Sequence, residues 1–119
     1  MPFQRNPVRS IYKIPACRKD GEYFQTLLRK PGMAIERIIS FGQRTPPGVW
    51  LSQAQDEWVM LLSGSATLTF WKDNKRLLKP GDYLYIPAGL RHRVERTHPK
   101  KPSVWLALHV GVSKKAAHV

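Results

Sequence analysis

The stretch that most constrains this chain runs from Lys79 to Arg96, KPGDYLYIPAGLRHRVER. Pro80-Gly81 is a tight turn pair, in which Pro pre-sets φ and Gly is free to take a positive φ, and Asp82 is placed to hydrogen-bond the turn backbone. Asp82 to Ile86 then alternates at strand period. Pro87-Ala88-Gly89 breaks that strand before His92 opens another. One histidine is thus delivered at a set distance beyond a Pro-Gly turn.

At 119 residues the chain is expected to be one domain, large enough for one core but not for separate cofactor and substrate domains. Hydrophobic content of 42% and aromatic content of 10% suit a packed globule rather than a disordered chain. Cys17 has no second cysteine to pair with, and the basic N-terminus lacks the apolar run of a secretory signal. A cytoplasmic protein with no membrane span is the expectation. The net charge of +12 invites a nucleic-acid reading, yet the cations are dispersed along the chain and no recognition helix or RNP-type aromatic motif accompanies them. Nucleic acid is therefore not the expected partner, and a solvated basic surface is the simpler account.

Residues 1–32 read as an N-terminal arm and a short helix, residues 33–111 as a barrel, and residues 112–119 as a tail. Asp20 is a plausible N-cap for a helix from Gly21 to Arg29, with Tyr23, Phe24, Leu27 and Leu28 on one face and Pro31-Gly32 as its stop. From Met33 onward β signals dominate. Strands are expected near 33–40, 49–53, 57–62, 66–71, 76–78, 82–86, from His92, and over 103–110, separated by Gly, Pro and Asn turns. Many short strands at near-regular spacing indicate an all-β antiparallel sandwich or small barrel. If Gln53 and Glu57 face inward, so do Val59 and Leu61. Trp58, Met60 and Leu62 then lie on the other face, which the N-terminal arm or a second subunit would have to cover.

Gly81, Pro87, Gly89 and His92 fall on the second signature motif of the cupin superfamily, with Arg96 where that motif ends in Asn. Glu57 and Gly64 match the later half of the first motif. Leu51 and Gln53 occupy the positions of its paired histidines, and Gly48 lies nearer that pair than the motif's own Gly. The run FGQRTPPGVWLSQAQDEWVMLLSGSA resembles a branch of small bacterial cupins in which Gln replaces the second histidine. The resemblance covers roughly residues 33 to 110. It implies a jelly-roll barrel, the double-stranded β-helix, and commonly a two-fold homodimer.

The chemistry can be weighed on the residues themselves. A metal site that turns over substrate needs about three protein ligands on one face of the ion. Glu57 offers an anionic oxygen, His92 a ring nitrogen and Gln53 a neutral carbonyl oxygen, a weaker cage than two histidines and a carboxylate. Loose binding of Fe, Mn, Zn or Ni, or none, is the expectation. His109 is a further candidate ligand, although both faces of its strand are apolar and parity does not orient it. A structural alternative stays open, in which Glu57 and His92 form a buried pair satisfied by Gln53. Arg96 shares His92's face by parity and, if inward, would recognise a carboxylate or phosphate; Trp50 is placed to line the pocket mouth. His98 and His118 read as solvated, and Cys17 as an inert thiol.

A binding protein for a small, anionic molecule, with or without a metal, is the leading functional expectation. The alternatives are a metal-dependent dioxygenase or isomerase of a small metabolite, and a basic interaction domain for nucleic acid or an acidic protein. No residue is assigned a catalytic role.

Overall fold

The computed structural model describes residues 6–111, and among them it has eight β-strands and no α-helix. They are β1 (Tyr23–Lys30), β2 (Met33–Ser40), β3 (Asp56–Ser63), β4 (Ala66–Phe70), β5 (Asn74–Leu78), β6 (Tyr83–Ile86), β7 (His92–Thr97) and β8 (Ser103–Val110). All pair antiparallel, in a five-stranded sheet of order β1-β2-β8-β3-β6 and a three-stranded sheet of order β5-β4-β7. This is the all-β sandwich expected from the turn spacing, in the jelly-roll form that the resemblance implies. The tail from residue 112 onward, His118 included, lies outside the described residues.

The expected helix over Gly21 to Arg29 does not form. Residues 23–30 are strand β1, which pairs with β2 around the Pro31-Gly32 turn, where Gly32 takes φ 80°. A nine-residue amphipathic segment is too short to hold a helix by itself, so pairing along the whole length of β2 outweighs its local pattern. The sheet therefore begins at Tyr23. The apolar spacing that mimicked a helix includes a register shift between Thr26 and Leu28. The strand expected at 49–53 reduces to a single bridge between Leu51 and His92.

Inward alternation is regular in β3, where Glu57, Val59 and Leu61 are buried while Trp58, Met60 and Leu62 are half-buried on the outer face. Val59 and Leu61 join Ala66, Leu68, Leu78, Ile86, Trp105 and Ala107 in one core between the sheets. Each large apolar side chain buried there is worth about 2 kcal/mol. The β3–β4 connection admits only glycine at position 64. Its φ is 84°, and an added Cβ would lie 2.6 Å from the Ser103 Cα.

Part of the N-terminal arm lies along β2. Arg37, buried within the outer face, donates from Nη1 to the Ile11 and Lys13 carbonyls at 3.0 and 2.8 Å and from Nε to Gln25 Oε1 at 3.0 Å. Further along that face Trp58 packs against Tyr83, and Tyr83 and Tyr85 stay 64% and 57% exposed. The arm thus leaves that end uncovered. No helix among the described residues is long and apolar enough to cross a membrane.

Candidate functional site

The turn stretch builds the site. Lys79 N–H donates to Asp82 Oδ2 at 2.9 Å, closing the Pro80-Gly81 turn as its residue types require. The second turn, Pro87 to Leu90, does two things. It docks the loop before β3, because Gly89 N–H donates to the Gln53 carbonyl at 2.8 Å and Ala88 N–H to Asp56 Oδ1 at 2.8 Å. It also orients His92, whose Nδ1 lies 2.9 Å from the Leu90 carbonyl. A carbonyl only accepts, so Nδ1 is the donor, and in the neutral ring Nε2 then carries the lone pair.

Gln53, Glu57 and His92 consequently line one cavity of about 490 Å³ between the sheets. Its walls include Ile38, Val59, Leu68, Ile86, Val94 and Trp105. Phe24 and Leu51 also line it yet are 57% and 42% exposed, which places the mouth between β1 and the loop before β3. Two flanking strands complete the polar wall. His109, on β8, turns inward beside Glu57, and its Nε2 lies 2.8 Å from Glu36 Oε1 and 4.0 Å from Glu57 Oε2. Gln53 donates its amide N–H to Glu57 Oε1. A polar chain thus crosses the cavity floor from Glu36 on β2 through His109 and Glu57 to Gln53.

Two of the expected residues lie elsewhere. Arg96 is exposed outside the cavity, its Nη1 3.4 Å from Ser65 Oγ. The reason is a bulge: Thr67 pairs with Arg96 and Leu68 with Val94, so Glu95 is left over and the alternation counted from His92 slips by one. Trp50 packs edge-on against Trp71 at 5.0 Å between ring centroids and does not line the cavity. Conversely, Glu22 and Glu36 line the cavity without having been singled out. Glu36 was detectable as the one carboxylate of β2, at an inward position between Ala34 and Ile38. Glu22 was hidden inside the segment read as a helix.

The Cupin domain family model matches residues 42–109. The chain is a cupin. A candidate mannose-6-phosphate isomerase from Ralstonia eutropha JMP134 is 44% identical, with 90% of this chain and 100% of that one covered and a TM-score of 0.84. A cupin superfamily protein from Desulfitobacterium hafniense DCB-2 shares the fold at 22% identity, covering 92% of this chain and 94% of that one with a TM-score of 0.71. The DMSP lyase DddQ from Ruegeria pomeroyi DSS-3 does so at 22% identity over 80% of this chain and 49% of that one, with a TM-score of 0.61. A search of curated proteins finds no match.

Cupins often hold a transition metal, and the donors of this one do not fit such an ion as they stand. Gln53 turns its N–H, not its carbonyl, toward Glu57, and His109 Nε2 is engaged by Glu36. Among the described residues no three His, Cys, Asp or Glu side chains are grouped to hold an ion. What the wall does offer is acceptors: carboxylate oxygens on Glu22, Glu36 and Glu57, and the bare Nε2 of His92.

Proposed function

We propose that this cupin binds a small, uncharged, hydroxyl-rich molecule inside its barrel, with Gln53, Glu57 and His92 on one side and Glu36 and His109 across the floor. The observation that carries the reading is the charge of the lining: Glu22, Glu36 and Glu57 contribute carboxylates, and among the described residues neither Lys nor Arg lines the cavity. An anionic ligand, expected when Arg96 was counted inward, would meet carboxylates in a partly enclosed, low-dielectric space. Hydroxyl groups instead donate to those oxygens and to His92 Nε2, while Trp105, Ile38 and Val59 pack against carbon. The likeness to the Ralstonia protein supports a sugar-sized ligand, and the acidic lining argues against its phosphorylated form.

Titration of D-mannose and D-fructose, followed by calorimetry and by tryptophan emission, tests this. Binding of an uncharged sugar, weakened about tenfold in Glu57→Gln and stronger than that of mannose 6-phosphate, is expected. Preference for the phosphate ester would sink the reading. Elemental analysis of untagged protein, prepared without chelator, is expected to show less than one Fe, Mn, Zn or Ni per chain, and stoichiometric metal lost in both Glu57→Ala and His92→Ala would replace it with the metal site.

The half-covered outer face of β3 supports a second proposal, that two copies associate through Trp58, Met60, Tyr83 and Tyr85. Sedimentation equilibrium at twice the 13.7 kDa chain mass is expected, shifting to the monomer in Trp58→Arg; a monomeric wild type rejects it.

A further inference from the structure

We infer that the outer surface of the three-stranded sheet carries a second binding site, selective for a phosphoryl group and formed by Arg44, Lys75 and Arg96. The three cations come from separate parts of the chain, the loop before β3, the start of β5 and the end of β7, yet they line a single concavity of about 310 Å³. Register explains how they meet. Thr67 of β4 pairs with Arg96 on one side, and Thr69 pairs with Lys75 on the other. The unpaired Glu95 re-aims Arg96 from the barrel interior to this surface, so the bulge that removes a cation from the inner cavity supplies one to the outer concavity.

The charge there is uncompensated. Among the described residues no carboxylate forms an ion pair with Arg44, Lys75 or Arg96. Glu95 also lines the concavity, but its Oε1 lies 2.8 Å from Arg93 Nε, a neighbour that already neutralises it. Thr67 contributes a hydroxyl to the lining, whereas the Thr97 hydroxyl is committed to the Gln43 carbonyl at 2.6 Å. Converging like charges repel, and a dianion seated between them removes that repulsion while accepting from both guanidinium forks. A phosphate monoester or inorganic phosphate supplies that charge in one compact group. The concavity is local rather than a track, which favours a single phosphoryl group over a nucleic-acid backbone.

The test is a titration of the full chain with inorganic phosphate at low ionic strength, followed by calorimetry and by amide shifts. Expected are shifts confined to the neighbourhood of residues 44, 67, 75 and 96, with affinity falling about tenfold in Arg96→Gln and again in the Arg44→Gln, Arg96→Gln double variant. Arg29→Gln, an exposed charge on β1, is expected to leave affinity unchanged. Absence of phosphate binding, or equal losses in Arg29→Gln and Arg96→Gln, overturns the site. A ten-residue oligothymidylate that binds more tightly than phosphate and is lost in the same double variant would replace it with a single-strand surface. None of these variants touches the barrel interior, so failure here leaves the sugar reading standing.

Discussion

The two faces of β7 show how one six-residue strand serves opposite chemistries. Its inner face presents His92 and Val94 to a cavity whose polar lining, among the described residues, includes carboxylates and imidazoles but no Lys or Arg. Its outer face presents Arg93, Glu95 and Arg96 to solvent and to the loop before β3, beside Arg44 and Lys75. Strict alternation would have put Arg96 in with His92. The extra residue at Glu95 moves it out, and a single bulge thereby keeps a guanidinium away from Glu57. The lesson is that charge segregation here is a matter of register, not of composition, since the net charge of +12 says nothing about an acidic interior.

Substitutions along the strand can break that comparison. Val94→Asp is expected to have the largest effect, a loss of about 3 kcal/mol in denaturant unfolding, because it places a carboxylate among Leu68 and the other core side chains on the cavity wall. Arg93→Met should come next. The buried Arg93 donates to the Thr45 carbonyl at 2.9 Å and the Pro46 carbonyl at 3.2 Å, and losing those bonds is expected to cost about 2 kcal/mol and loosen the loop before β3. Hydrogen exchange at the Thr45 amide, which donates to the Val94 carbonyl at 2.9 Å, should rise in that variant. Arg96→Val should matter least, within about 0.5 kcal/mol. Residues 94 and 96 would share a face in a regular strand, so equal costs for Val94→Asp and Arg96→Val would show that the bulge does not separate the two surfaces.

Much of the site was legible because it depends on local geometry. Proline at 80 and 87 fixes φ, glycine at 81 and 89 takes the positive φ that other residues avoid, and the resulting turns place His92 and close on Asp82. Strand parity in β3 needed only the period of two, which set Glu57, Val59 and Leu61 inward and Trp58 outward. Parity failed where the chain is not regular. It sent Arg96 inward across an unseen bulge, and it offered nothing for His109, whose neighbours are apolar on both faces.

What the linear order of residues determined by itself was the sequence of turns, and through them the all-β class and the placement of Glu57 and His92 on separate strands of one domain. Only the tertiary structure decided that residues 23–30 are a strand, that Glu36 and His109 complete the cavity floor, and that Arg44, Lys75 and Arg96 converge outside it. The physical reason is range. A turn is governed by the φ preferences of two or three adjacent residues, whereas a helix-like segment yields to its pairing partner and a cluster of charges exists only where strands distant in sequence lie side by side.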